Sequence, residues 1–346
     1  MQLDTNFLRH LTSISSPSGG EEKLARAFVQ YLEEAGCSGD IDSLYNAICS
    51  NNGTEGPRIM LEAHSDEIGM QVVHVSEDGY IYFRRNGAVD GATLQGAEVV
   101  IAAREGDVEG VIGKKPIHLC GEGADKVPPV EDMWIDIGAA DGDDARRKVE
   151  VGDLITFKHN FREEGSKIIS KGLDDKIGVF VVAEAMKRLA KENIKAQLYA
   201  CASAQEEVGC RGCRVAAGRI KPDIAICVDV GFATDFPGMP ENKYGRMKLG
   251  NGVVLNSNCD NNPELVKIAK ETASKHNIKY QNYTFPVASG GTDTANIQLT
   301  DMGVRTLLLS IPCRYMHTPV EICDLADVTA AIELICEIVK QISVKL

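Results

Sequence analysis

The feature that most constrains this chain is a change of texture in its middle. From about residue 68 to residue 158, short β-like runs at 70–75, 80–84, 98–103, 108–112, 133–137 and 154–157 alternate with glycine, aspartate and proline turns. Runs this short, punctuated this often, predict a small β-rich or barrel-like module. Only residues 141–148 read as helix within it. On either side the spacing differs. Leu24, Ala27, Phe28, Tyr31 and Leu32 follow helical periodicity, with Ser18 as the expected cap and Gly36 as the stop. Short apolar runs at 46–49 and 59–63 read as strands. After residue 168, helical patterns at 177–190, 263–276 and 324–344 alternate with apolar runs at 197–204, 222–228 and 306–311. Strands alternating with helices predict an α/β sheet covered on both faces. The expected architecture is one α/β domain, residues 1–66 and 167–346, interrupted by a β-rich insertion at 67–166.

Composition narrows the classes. The 346 residues are enough for two domains and a large core, and the 44% apolar and 25% charged content is that of an ordinary globular protein. A formal net charge of -13 disfavours nucleic acid and anionic membrane as partners and attracts divalent cations and protonated amines. The first residues show no basic segment leading into an apolar one, and no stretch approaches ~20 apolar residues, so a cytoplasmic location is expected. The eleven cysteines, an odd number scattered through core-like segments, suit buried thiols in a reducing compartment. The single Cys-x-x-Cys, Cys210 to Cys213, reads as a packing feature.

Five places carry clustered histidine and carboxylate residues, each near the end of an apolar run. They are His64 with Asp66, Asp174 with Asp175, Glu206 with Glu207, Asp229, and His317. In open α/β sheets the carboxyl ends of strands line the ligand crevice, so these segments can converge. On an extended backbone His64 and Asp66 face the same side, where a carboxylate can fix the imidazole tautomer. Two adjacent carboxylates open the helix at Asp174, where the helix dipole favours negative charge. Adjacent carboxylates after a buried strand, as at Glu206 and Glu207, are costly unless paired or metal-bound. Residue types alone do not say which of these two glutamates does what.

The motifs AHSDEIG, GLDDKIG, SAQEEVG, CVDVG, SGGTDTA and RYMHTPVE, in that order from residue 63 to 321, closely resemble those of the glutamyl/deblocking aminopeptidases, whose members form tetrahedral particles. The resemblance covers essentially the whole chain. It implies a mixed-sheet α/β catalytic domain of the phosphorylase/hydrolase-like, zinc-peptidase type with the inserted β-barrel-like domain serving dimerisation and assembly. It also implies a metal-dependent aminopeptidase with two divalent ions per subunit, Zn or Co, with Mn also compatible. By resemblance His64 and Asp229 complete one metal site, Glu207 and His317 the other, and Asp174 bridges them. Glu206 is then the general base and Asp66 supports His64. A cis peptide between Asp174 and Asp175 is implied, as is a homo-oligomer, a dodecamer built from dimers, acting on short peptides. Two departures stand out: Cys210 and Cys213 follow the Glu-Glu-Val-Gly motif, and Tyr45 stands where the family often has glycine.

The expected charge balance is consistent. Two divalent ions are offset by Asp174, Glu207, Asp229 and one hydroxide, a neutral cluster that a partly buried cleft can hold. The rivals are a related two-metal carboxypeptidase or N-acyl deacylase and, from a different class, a glycoside hydrolase of endoglucanase type, which needs a carboxylate pair but neither histidine. The loop at 237–252 is the expected contributor to side-chain selectivity.

Overall fold

The computed structural model describes residues 3–120, 126–284 and 289–345. The chain opens with helices α1 (Asn6–Ser13) and α2 (Glu22–Glu33) and strands β1 (Ser38–Ile41), β2 (Ala47–Ser50) and β3 (Arg58–His64). Strands β4 (Gly69–Val75), β5 (Ile81–Asn86), β6 (Glu98–Ala103), β7 (Gly106–Ile112) and β8 (Trp134–Asp136) follow, then helix α3 (Gly142–Lys148) and strand β9 (Leu154–Phe157). Next come β10 (Arg162–Glu164), β11 (Lys167–Ser170), helix α4 (Leu173–Leu189), β12 (Gln197–Ser203), α5 (Arg211–Ile220) and β13 (Ile224–Phe232). The remainder is α6 (Glu241–Tyr244), β14 (Val253–Asn256), α7 (Pro263–Lys275), β15 (Tyr280–Tyr283), α8 (Thr294–Ile297), β16 (Arg305–Cys313), β17 (Glu321–Asp324) and α9 (Leu325–Lys345).

An eight-stranded mixed sheet, ordered β1-β2-β12-β3-β13-β16-β14-β15, forms the larger unit. Its four central strands, β12, β3, β13 and β16, are parallel, and Ser203 lies opposite His64 in the register. Their carboxyl ends therefore open on the same edge. These strands are buried nearly end to end, which is why they read as continuous apolar runs rather than alternating ones. Helix α4 is buried almost all round, so it is a core helix whose half-buried polar residues, Glu184, Lys187 and Arg188, lie near its end.

Strands β4, β5, β8, β7, β6 and β9 close into a barrel. The period-2 rule is plain in β6, where Val99 and Ile101 face the barrel interior and Glu98 and Val100 do not. Met70, Phe83, Ile112, Ile135 and Ile155 complete a core separate from that of the large sheet.

Two local expectations resolve differently. Ser18 does not cap α2. That helix starts at Glu22, and the Ser18 hydroxyl instead donates to Asp66 Oδ2 at 2.6 Å, a buried carboxylate being the stronger acceptor. Tyr45 adopts φ 68°, the left-handed region that glycine enters at little cost.

Candidate active site

The five sequence clusters meet at the open edge of the large sheet. His64 ends β3, Asp229 lies near the end of β13, and Glu206 and Glu207 follow β12 by a short turn. Asp174 and Asp175 occupy the first turn of α4, joined by a cis peptide bond. His317 sits in the connection from β16 to β17 with φ 63°. Glu206 and Glu207 do not lie on an extended strand. Gln205 takes φ 61°, and the chain turns before both glutamates.

Asp174 is the hub. Its Oδ1 lies 3.1 Å from His64 Nε2 and its Oδ2 lies 3.1 Å from His317 Nε2, one oxygen for each imidazole. Asp229 Oδ1 is 3.8 Å from His64 Nε2, and Glu207 Oε1 is 3.5 Å from His317 Nε2. Two groups share Asp174, His64–Asp174–Asp229 and Asp174–Glu207–His317, and a third, His64–Glu206–Glu207, lies beside them; within each group the donor atoms all lie within 4.8 Å of one another. They line a cleft of about 370 Å³ with Glu206, Val230, Phe232, Gly290, Gly291, Thr292 and Met316. The loop at 237–252 lies elsewhere, lining a neighbouring cavity with Thr234 and Asp235.

A second layer of contacts holds the cluster. His64 Nδ1 is 3.1 Å from the carbonyl oxygen of Asp66, and His317 Nδ1 is 3.1 Å from that of Ala88. A carbonyl only accepts, so each Nδ1 carries the proton and each Nε2 is turned to the cluster. Ala88 belongs to the barrel side, following β5, so the barrel helps orient a histidine of the sheet. The Asp66 carboxylate lies 3.4 Å from His64 Nδ1 and also accepts from the Glu206 N–H (2.9 Å) and the Glu207 N–H (3.1 Å). It thereby ties the glutamate turn to His64. Glu321 accepts from the Asp174 N–H at 3.1 Å and the His317 N–H at 3.0 Å. Ala88 and Glu321 were not assigned a role from sequence, and Ser18 was read only as a helix cap. Glu321 alone left a trace, as the last residue of the RYMHTPVE motif.

The electrostatics show a surplus of buried negative charge. Burial, then the neighbouring Asp174 carboxylate, pushes Glu207 up to about 9. Burial pushes Glu206 up to about 7 and Asp229 well above the usual range. Burial also acts on Asp174, but its contacts with His317 and His64 outweigh it and hold that group low. Burial would lower His317, yet Asp174 and Glu207 raise it to about 9. Among the described residues, the ion-pair partners of Asp174, Glu207 and Asp229 are imidazoles alone. Glu207 Oε1 is buried without a hydrogen-bond donor. Buried carboxylates arranged this way around two correctly turned imidazoles suit divalent cations, and the oxygen and nitrogen donor set suits Zn, Co or Mn.

Comparison with known proteins agrees with this chemistry. The sequence model of the M42 glutamyl aminopeptidase family matches residues 46–334. The chain is 33% identical over 339 residues to the lysyl aminopeptidase of Pyrococcus furiosus, covering 96% of this chain and 95% of that protein. It superposes with a TM-score of 0.92 and 30% identity on the TET aminopeptidase of the marine sediment archaeon Thaumarchaeota archaeon SCGC AB-539-E09, covering 97% and 96% of the two chains. The TET1 peptidase of Pyrococcus horikoshii, which can assemble into a tetrahedron or a large octahedral shell, superposes with a TM-score of 0.85 at 30% identity, covering 96% and 97%.

Proposed function

This chain belongs to the M42 glutamyl aminopeptidase family, and on that premise we propose which of its residues remove the N-terminal residue from a peptide. The enzyme is an aminopeptidase, a metal-dependent hydrolase of peptide bonds. His64 and Asp229 would hold one divalent cation, Glu207 and His317 a second, and Asp174 would serve both. The observation that carries this assignment is the geometry of Asp174, which offers a separate oxygen to each half of the cluster. When bound, the ions would supply Lewis acidity, acidifying a water and polarising the scissile carbonyl.

The remaining work falls to the chain. Glu206 lines the cleft beside His64 and Glu207 but belongs to neither Asp174 group, so its carboxylate would take a proton from water and pass it to the leaving amine. The Asp66 carboxylate holds the Glu206 N–H, which fixes where that proton can be delivered. The acidic cleft favours a protonated α-amine on the substrate, in keeping with exopeptidase action. Glu206→Gln should retain bound metal and lose at least about 10²-fold in kcat on leucyl-, glutamyl- and lysyl-p-nitroanilides. Wild-type turnover in that variant would rule out the assignment.

Two further assignments accompany this one. The barrel would mediate assembly into dimers and then a dodecamer. Val73, Tyr80, Val111 and Val151 are large apolar residues exposed on it, as expected of a surface that is covered by another subunit. A monomer by mass measurement in solution would contradict this. All eleven cysteines are free thiols, which supports a reducing, cytoplasmic location, and among the described residues no helix is long and apolar enough to cross a membrane.

A further inference from the structure

Two stretches are not used by the mechanism above: the Cys-x-x-Cys pair and the SGGTDTA segment. The fold brings them together beside Glu206. Cys210 precedes α5 in a left-handed conformation, φ 50°, and its Sγ lies 3.3 Å from Glu206 Oε1. Asp293, just before α8, completes a further group: the donor atoms of Glu206, Cys210 and Asp293 all lie within 4.8 Å of one another. Asp293 is only 4% exposed. Its Oδ2 accepts from Ser203 Oγ at 2.8 Å, a hydroxyl it shares with the buried Glu62 carboxyl beside it, and its Oδ1 is buried without a well-formed hydrogen bond. A buried carboxylate oxygen without a donor is costly, and a cation removes that cost.

We propose that Glu206, Cys210 and Asp293 form an additional cation site that takes one thiophilic divalent ion, such as Zn or Cd, and that filling it withdraws Glu206 from proton transfer. The thiolate selects for softer ions, and three protein donors leave one tetrahedral position for water. On binding, the Cys210 S–H bond breaks, its proton leaves to solvent, and the sulfur lone pair passes to the cation. Neither Cys210 nor Asp293 belongs to either Asp174 group, so two of the three donors are not claimed by the resident ions. The inhibitory half of the proposal rests on Glu206 being the base. The consequence is biphasic metal dependence: zinc activates at low concentration and inhibits in excess.

Cadmium titration of the metal-loaded enzyme tests this, with bound cadmium, sulfur-to-cadmium charge-transfer absorbance and leucyl-p-nitroanilide hydrolysis read together. The wild type should gain one cadmium per chain with a rise in absorbance, while its rate falls in step. Cys210→Ser and Cys210→Ala, each compared with its own cadmium-free rate and checked for an unchanged melting temperature, should lack that increment. Both should need at least about tenfold more cadmium for the same inhibition. Cys213→Ser should keep the absorbance increment, because Cys213 Sγ is outside the group and points to the carbonyl oxygens of Cys210 at 3.3 Å and Asp293 at 3.8 Å. An equal absorbance increment in folded Cys210 variants, or none in the wild type, would overturn the site. An increment with undiminished activity would leave the site standing and overturn Glu206 as the base.

Discussion

Two buried charge clusters meet at the start of α4, and they are resolved in opposite ways. In one, Glu67 accepts from Lys171 Nζ at 2.6 and 2.7 Å and from Lys176 Nζ at 2.7 Å. All three side chains are buried. Burial pushes the Glu67 carboxyl up, but the two lysines outweigh it and hold it below the usual range. In the other cluster, Asp174 and Asp229 are buried and Glu207 partly so, but their ion-pair partners among the described residues are imidazoles alone, and burial keeps Glu207 and Asp229 high. Burial is common to both, so the difference lies in the partner. The first cluster carries its own cations and braces the turn that presents Asp174. The second lacks fixed cations of its own, and that is the mark of a site meant for ions from outside.

The comparison can be broken at several points. Asp174→Ala removes the oxygen pair shared by both halves of the cluster. It should abolish metal retention and lower kcat/KM by more than about 10³-fold, with little loss of fold. A variant that loses activity while binding its full complement of metal would sever the link between Asp174 and the ions. Lys176→Met should do the reverse. It should cost about 3–5 kcal/mol in urea unfolding by leaving a buried charge short of a partner, while metal content per folded chain stays near wild type. Adding Glu67→Gln to it should recover part of that loss, because a neutral amide tolerates the missing ammonium. If the double variant is as unstable as the sum of its parts, Glu67 and Lys176 do not act as a pair. Glu321→Gln sits between these cases. Its amide can still accept one of the two backbone N–H bonds, from Asp174 or His317, but cannot accept both equally well. Metal affinity should fall by about 10–100-fold with smaller effect on stability, as measured by competition with a chelator.

The barrel was the most legible part of the molecule. Each of its strands overlaps one of the turn-punctuated apolar runs, because alternation over a few residues is a local property of the chain. The parallel centre of the large sheet was also visible, as buried runs with no polar face. Helix α5 was not, because Gly212, Gly218 and three arginines blur its apolar stripe. Strands β14 and β15, of four residues each, are too short to stand out. At the site, the residue types of His64, Asp174, Glu207, Asp229 and His317 could be read directly, whereas the bridging place of Asp174 came from the family resemblance alone. The supporting groups were harder still. Ala88 reaches His317 through a carbonyl that every residue has, and Ser18 looked like a helix cap until Asp66 came within reach. Cys210 shows the same limit: its spacing to Cys213 suggested a pair, whereas its relevant neighbours are Glu206 and Asp293.

The central claim is that one aspartate holds two cations. Anomalous diffraction from zinc-loaded crystals, collected across the zinc absorption edge, tests it most directly. Two peaks should flank the Asp174 carboxylate, one beside His64 and Asp229 and the other beside Glu207 and His317. A single peak, or peaks that do not touch Asp174, would contradict the account.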